Sequence, residues 1–371
     1  MRVRAAVLEG VGRPLQVQEL DLAAPGPGEV RVRLHASGVC HSDYNAVDGT
    51  AETRCPAVLG HEGAGVVEAV GEGAGIAAGA RVMLAWLPAC GRCDECARGL
   101  PHLCASAWRD MGHGGLLDGT PRLSRDGAPV YHYSFLSTFA ERTVVPAACC
   151  IPIPDGVPFD VAALAGCAVA TGTGAVWRTA GVRPGDRVAV LGCGGVGMSA
   201  LLGAVAAGAH PVVAVDVSAD KLAAAEELGA THAVPWEGGA ERTAERVVEV
   251  TGGGVDYAIE ATGRPEAALA AFLSTRPRGA AVLIGIPRAD ATITLPALPI
   301  PRLERRIIGS IYGSSRPQRD FPALLALYRR GRLPLDRLIS RRLPLEAVEE
   351  AFGIMRAGQG LRVVLDMEDA R

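Results

Sequence analysis

No charge of one sign dominates this chain. Its 37 Lys and Arg stand against 40 Asp and Glu, a net charge of −3 over 371 residues. That balance leaves no electrostatic footprint for nucleic acid or for an anionic membrane surface. An unbroken apolar run of membrane-spanning length is also missing. The longest apolar region, Met198 to Val215, is interrupted by His210 and Pro211, and reads as a buried helix followed by a strand. The opening residues, MRVRAAVLEG, lack the apolar stretch of a signal peptide. There is no internal repeat and no low-complexity tract, only a general richness in Ala and Arg. These absences predict a cytoplasmic protein with neither a nucleic-acid nor a membrane partner. The length predicts two domains, each able to bury its own core.

Cysteine is present in a telling arrangement. Cys90, Cys93, Cys96 and Cys104 fall in CGRCDECARGLPHLC, separated by two, two and seven residues. Short Cys-x-x-Cys steps let neighbouring sulfurs converge on one ion, and tetrahedral zinc accepts four of them. A disulfide framework or an iron–sulfur cluster could use similar spacings; structural zinc is the reading adopted. With four protein ligands no position remains for substrate, so such a site holds a lobe together and does no chemistry.

Three further candidates are scattered along the chain: Cys40 in GVCHSD, His61 in GHEGAG and Cys167 in AGCAVATG. A lone buried Cys or His is more often packing than ligand. Together these three make a ligand set with an open fourth position, the pattern of a catalytic zinc. Six cysteines are then metal ligands, and Cys55, Cys149, Cys150 and Cys193 are spare, which fits a reducing compartment.

The third signal is RVAVLGCGGVGMSALLGAVAAGAHPVVAVDVSADK. An apolar strand from Arg187 to Leu191 leads into Gly192, Gly194 and Gly197, a G-x-G-x-x-G turn that includes Gly195. A helix from Val196 to Ala207 follows, then a strand from Val212 to Val215 ending at Asp216. This strand–turn–helix–strand context is what the motif requires. The glycines permit a tight turn and close approach of the backbone to a pyrophosphate, which sits at the helix N-terminus. Asp216 stands where an acid accepts hydrogen bonds from both ribose hydroxyls of a dinucleotide.

Patterning places these motifs. Val3 to Leu8, Glu29 to Ala36 and Gly65 to Val70 read as strands of a β-rich N-terminal domain, and IPIPDGVPFD leads out of it. From about Val169 to Ile311 apolar strands, such as Val255 to Glu260 and Ala280 to Gly285, alternate with Ala-rich helices such as Ala219 to Leu228. That alternation predicts a parallel, doubly wound sheet. Phe321 to Arg330 and Leu345 to Met355 read as helices of the tail.

On these residues the chain resembles the zinc-dependent alcohol dehydrogenases of the medium-chain dehydrogenase/reductase superfamily. The resemblance runs from near the N-terminus to near Arg362. It includes a long central insert, DGTPRLSRDGAPVYHYSFLSTFAERTVVP, similar to the liver-type and glutathione-dependent formaldehyde dehydrogenase branches. It implies an α/β protein with a β-rich GroES-like catalytic domain over residues 1–168, a Rossmann dinucleotide-binding domain over 169–311, and a return to the catalytic domain over 312–371. It also implies NAD as cofactor, two zinc ions per subunit, a small alcohol or aldehyde as substrate, and a homodimer or homotetramer.

The resemblance assigns roles to individual residues. Cys40, His61 and Cys167 match the catalytic zinc ligands. Glu62 matches an acid that can approach the metal or form an ion pair behind it. Asp43 matches the carboxylate that orients the ligand histidine, and Ser42 the hydroxyl that starts a proton relay. Thr171 and Val196 would line the nicotinamide, Asp216 and Lys221 would frame the adenosine ribose, and His41 and Arg362 would approach the pyrophosphate. Trp86, Tyr133, Ile286 and Ile311 match substrate-pocket positions. All four are large and apolar, which favours a primary or aromatic alcohol over a charged polyol.

Two positions depart from the family pattern. The liver-type relay ends in a histidine where this chain has Asn45, which does not titrate, so the proton must leave through water or another base. The formaldehyde dehydrogenase branch has an arginine, used to hold a thiol adduct's carboxylate, where this chain has Trp108 followed by Arg109. The expected activity is therefore NAD-linked oxidation of an alcohol and its reverse. A thiol-adduct-dependent formaldehyde dehydrogenase and a non-catalytic dinucleotide-binding zinc protein are the alternatives.

Overall fold

The computed structural model describes residues 1–367, so residues 368–371 of the expected C-terminal return lie outside the described residues. The chain divides into two compact units. One comprises Met1–Cys167, Arg316–Gly331 and the chain from Leu335 onward; the other comprises Ala168–Ser315 and Arg332–Pro334.

The first unit is built from two β-sheets. A closed barrel joins the strands Arg2–Leu8, Gln16–Leu22, Leu123–Arg125, Ala128–His132 and Ala57–Val58, in that order. Two of these strands come from the long insert, so the insert completes the barrel. Closure removes the open edges that strands would otherwise present to solvent. The second sheet has seven strands and runs Cys150–Pro152, Arg81–Leu84, Glu62–Val70, Glu29–Gly38, Arg362–Asp366, Ile339–Pro344, with Arg142–Pro146 also paired to Glu29–Gly38. The strand Glu29–Gly38 alternates apolar Val30, Val32 and Leu34, all buried, with Arg31 and Arg33. That period of two turns one face to the core and the other outward. The late strand Arg362–Asp366 lies antiparallel beside Glu29–Gly38, pairing Val364 with Gly38.

The second unit holds a six-stranded sheet, ordered His232–Pro235, Val212–Asp216, Val188–Leu191, Val255–Glu260, Thr275–Leu283, Arg306–Gly309. Every pairing in it is parallel. The order reverses beside Val188–Leu191, which makes the C-terminal end of that strand the switch point where doubly wound sheets bind ligands. Its strands are apolar on both faces because helices cover both sides. Ala189, Leu191, Val213, Val215, Ala258, Ala281 and Phe272 form the buried core there. The predicted α/β architecture, with a doubly wound parallel sheet beside a β-rich domain, is the one observed.

Among the described residues one helical run, Phe159–Ala180, which the sequence reading passes over, is long and apolar enough to cross a membrane by length and composition, but most of it is buried. It carries π-helical turns at Ala165–Val169 and Ala175–Ala180. Such turns widen the helix locally and recur at functional sites.

Candidate metal and cofactor sites

Four potential ligands converge in the first unit. The Cys40 and Cys167 sulfurs, a His61 nitrogen and a Glu62 oxygen all lie within 4.8 Å of one another. Each is placed by a break in regular structure. Cys40 follows the strand Glu29–Gly38 and is the N-cap of the helix His41–Asp48. His61 immediately precedes the strand Glu62–Val70. Cys167 projects from the π-helical turn Ala165–Val169. Gly38 is required here, because a Cβ on it would stand 2.1 Å from a Glu62 carboxylate oxygen.

Asp43 organises this cluster from a fully buried position. One of its oxygens accepts from the Cys40 amide at 3.0 Å. The other accepts from the Gly60 amide at 3.2 Å and faces His61 Nδ1 at 2.8 Å. With Nδ1 donating to Asp43, Nε2 keeps its lone pair for a metal. Glu62 pairs with the buried guanidinium of Arg362. The ion pair uses one carboxylate oxygen; the other is buried with no hydrogen-bond partner among the described residues and stays among the potential ligands.

Electrostatics at the cluster follow from burial and close contact. Burial raises the Asp43 carboxyl, with His61 opposing. Burial disfavours a charged His61, yet Asp43 overrides it and raises the imidazole well above its ordinary value. Burial pushes the Glu62 carboxyl up to about 7 even though Arg362 pulls it down. The Cys40 and Cys167 sulfurs share a hydrogen bond, which lowers the first and raises the second. Metal binding needs both sulfurs deprotonated, so their shared proton is the one an incoming ion displaces. Two thiolates and one imidazole, buried and pre-aimed, fit a zinc ion with an open position.

Cys90, Cys93, Cys96 and Cys104 also converge, with all four sulfurs within 4.8 Å and Cys93 at 3.9 Å from Cys104. A tetrahedron with zinc–sulfur bonds of about 2.3 Å has sulfurs about 3.8 Å apart. Backbone amides point at these sulfurs: Cys93 N donates to Cys90 and Cys90 N to Cys104, both at 3.3 Å. Amides of Arg92 and Cys93 lower the Cys90 thiol to about 6. All ten cysteines are free thiols. The lobe fits a closed four-sulfur zinc site.

Ser42 is partly buried beside these ligands, with the Cys40 sulfur 3.7 Å from its hydroxyl. Tyr133 is brought to the same place, its ring 5.8 Å edge-on from the His61 ring. Its hydroxyl donates to the Ser42 carbonyl at 2.8 Å, a bond that nothing in the sequence announces. Burial, with Asp43 and the two cysteines nearby, holds the Tyr133 phenol well above its usual range, so it remains a donor. Trp86 is buried after the strand Arg81–Leu84 and packs edge-on against Trp108 at 5.8 Å. Trp108 Nε1 donates to the His102 carbonyl within the cysteine lobe. His41 is exposed at the first position of its helix, and Arg362 is buried against Glu62.

The remaining sequence candidates lie in the second unit. The strand Val188–Leu191 ends at Gly192, and the helix Gly195–Ala206 begins after Gly194. A Cβ on Gly197 would stand 1.7 Å from the Gly192 carbonyl oxygen, so only glycine lets the helix start this close to the strand. A Cβ on Gly194 would meet nothing within 4 Å, so the turn is open on that side. The first amides of a helix lack internal partners. Open space in front of such amides is what a pyrophosphate needs.

Asp216 ends its strand with one oxygen taking the Cys193 amide at 2.6 Å and the other the Ser218 amide at 2.9 Å. Ser218 caps the helix Ala219–Glu227, accepting from the Lys221 amide. Val217 beside it is 77% exposed. Thr171 and Val196 fall on the helices Ala170–Gly174 and Gly195–Ala206, which pack together. Ile286 is 62% exposed and Ile311 partly buried.

Comparison with known proteins agrees with these geometries. Residues 26–155 match the family described as alcohol dehydrogenase GroES-like domain, and residues 195–330 match the zinc-binding dehydrogenase family. An alcohol dehydrogenase zinc-binding domain protein from Burkholderia ambifaria is 36% identical, with 99% of each chain covered and a TM-score of 0.94. Benzyl alcohol dehydrogenase from Acinetobacter calcoaceticus is 29% identical, again over 99% of each chain, with a TM-score of 0.94. A protein described as NAD-dependent alcohol dehydrogenase is 31% identical over 98% of this chain and 99% of its own, with a TM-score of 0.79. Matched through both units and carrying both cysteine constellations, the chain belongs to the zinc-type alcohol dehydrogenases of the medium-chain dehydrogenase/reductase superfamily.

Proposed function

We propose that this protein oxidises a primary or aromatic alcohol to the aldehyde, and runs the reverse, with NAD as the hydride carrier and two zinc ions per subunit. The observation that carries this reading is the convergence of Cys40, His61 and Cys167 with Asp43 hydrogen-bonded behind the imidazole. The bound groups supply Lewis acidity toward the alcohol oxygen, from zinc, and a hydride acceptor, from the nicotinamide.

The chain's own residues do the rest. Cys40, His61 and Cys167 hold the catalytic ion, and Asp43 fixes the imidazole tautomer. Ser42 accepts the alcohol proton and passes it outward. Asn45 cannot take that proton, so it leaves through water or another base. The glycine turn from Gly192 to Gly197 receives the pyrophosphate, and His41 and Arg362 are the cations assigned to it. Asp216 and Lys221 hold the ribose, while Thr171 and Val196 lie along the nicotinamide. Asp216 would repel a 2′-phosphate, and Val217 and Ser218 supply no positive charge to offset that. Cys90, Cys93, Cys96 and Cys104 hold the second ion and keep their lobe folded.

Trp86 and Tyr133 on the first unit, and Ile286 and Ile311 on the second, are the apolar residues assigned to the substrate. The similarity to a benzyl alcohol dehydrogenase supports an aromatic substrate. The long insert supports placement in the liver-type or formaldehyde dehydrogenase-like branch. Trp108, engaged with Trp86 and the His102 carbonyl, offers no cation to a thiol adduct's carboxylate. We further propose a cytoplasmic homodimer or homotetramer.

The test is a panel of benzylic, primary aliphatic and polyol substrates assayed with NAD and with NADP. Formaldehyde is run with and without glutathione. Preferential NADH formation from benzylic or primary alcohols is expected. Turnover of formaldehyde only with thiol would transfer the chain to the thiol-adduct class. Nicotinamide binding without any turnover would make it a non-catalytic relative.

A further inference from the structure

The Tyr133 ring fits a substrate wall, but its hydroxyl is committed elsewhere. It donates to the Ser42 carbonyl at 2.8 Å. Ser42 is the second residue of an eight-residue helix, partly buried, next to the anchored Asp43, and its own hydroxyl has a long 3.7 Å contact with the Cys40 sulfur. A hydroxyl that must meet a substrate oxygen in one geometry gains from a peptide fixed by an outside partner.

The mount that carries Tyr133 is unusual. Ser134, Phe135 and Ser137 have φ of 49°, 61° and 53°, a left-handed backbone that residues with side chains rarely adopt. Three such residues in four persist only where their surroundings over-determine them, and here the surroundings do. Leu136 N and Ser137 N both donate to the Tyr133 carbonyl, at 3.0 and 3.2 Å. Tyr133 N donates to the Ser137 hydroxyl at 3.1 Å, and that hydroxyl donates to the Val58 carbonyl at 2.8 Å. Thr138 N and Phe139 N then bond the Gly60 and Leu59 carbonyls, both at 3.0 Å. The mount is thus tied to the segment that delivers His61, and the Tyr133 ring lies edge-on to that imidazole.

We propose that Tyr133 is a positioning residue for proton transfer: it ties the turn bearing Ser42 to the turn bearing His61, and so fixes where the Ser42 hydroxyl points. This rests on the alcohol-oxidation reading above. It assigns the ring's face to the substrate and the hydroxyl to the protein.

Tyr133→Phe tests it, because ring and mount are kept and one donor is lost. Melting temperature and zinc content should stay near those of the parent. Amide hydrogen exchange in a peptide spanning residues 40–46 should quicken by about threefold or more. The kcat should fall about fivefold with KM for the alcohol within about twofold, and the solvent deuterium isotope effect on kcat should rise. In a Ser42→Ala background, Tyr133→Phe should cost no further activity, since it acts through Ser42. Unchanged exchange overturns the proposal. So does a change confined to KM, which would leave Tyr133 only a wall, and so do additive losses in the double variant. A parent protein that turns over no alcohol defeats the functional reading first, and the positioning role falls with it.

Discussion

Asp216 holds the backbone amide of Cys193 at 2.6 Å, so the acid assigned to the ribose also clamps the glycine turn assigned to the pyrophosphate. Its second oxygen takes the Ser218 amide. Each carboxylate oxygen can still accept another bond. The same residue therefore shapes both halves of the expected dinucleotide site.

Asp216→Gly should accordingly have two effects. Loss of the negative charge should shift the ratio of catalytic efficiencies toward NADP by about tenfold or more, as like-charge repulsion costs over about 1.4 kcal/mol. Loss of the clamp should also weaken NAD, so its KM should rise. Steady-state kinetics with both cofactors check this. Equal efficiency of the unaltered protein with NAD and NADP would remove the discrimination assigned to Asp216.

Elemental analysis should find two zinc ions per chain. Cys93→Ser should lose one of them and lower the melting temperature by about 5 °C or more, because a closed metal site contributes folding energy. Cys167→Ser should keep the fold and the Cys90–Cys104 ion while abolishing turnover. One zinc in the intact protein, or iron with labile sulfide, would refute the two-site assignment.

Ser42→Ala should reduce kcat by roughly 10²-fold, the size expected for losing a positioned proton-transfer group. Ser42→Thr retains the hydroxyl and should retain activity. Asn45→Ala should change little beside it, because an amide takes no proton at neutral pH. Near-parental turnover by Ser42→Ala would overturn the relay.

His132 predicts part of the acid sensitivity of the first unit. It is 4% exposed, Arg122 N donates to its Nε2 at 3.2 Å, and its Nδ1 has no hydrogen-bond partner among the described residues. Burial, reinforced by the Arg122 charge, pushes the imidazole down to about 3 from an ordinary 6.5. Between those values the unfolded chain binds a proton that the folded chain refuses, so stability is full above about 6.5 and falls as pH drops toward 3. One such group contributes a slope of up to about 1.4 kcal/mol per pH unit. Urea unfolding at pH 7, 5.5 and 4.5 should show His132→Gln losing less stability on acidification than the parent. Parallel pH dependences would exclude His132 as a source.

Two parts of this molecule are readable from the chain because each is contiguous. The lobe from Cys90 to Cys104 and the unit from Val188 to Asp216 encode their geometry in spacing alone. The strands of the parallel sheet are equally plain: Val255–Glu260 falls where its apolar run predicts. Other features depend on distant partners. The insert's strands Leu123–Arg125 and Ala128–His132 are short and half polar, and take their form only by closing a barrel with Arg2–Leu8 and Gln16–Leu22. The ion-pair partner of Glu62 cannot be read locally, because Arg362 stands 300 residues further along. Tyr133 reads as an apolar wall, because no pattern in its neighbours reveals where a phenol hydroxyl will find an acceptor.

That Arg362 closes on Glu62, and that its strand lies in the sheet beside Glu29–Gly38, sets an order for biosynthesis. All of the second unit's main segment, Ala168–Ser315, leaves the ribosome before Arg362 does. At usual elongation rates, Cys167 waits about 10–40 s for Arg362 to be added. Over that interval Glu62 has no guanidinium to pair with, and Gly38 has no strand on its far side. The four sulfurs of the cysteine lobe all lie between Cys90 and Cys104 and are made together. The Cys40, His61 and Cys167 cluster, by contrast, gains the ion pair behind it only once Arg362 has been made.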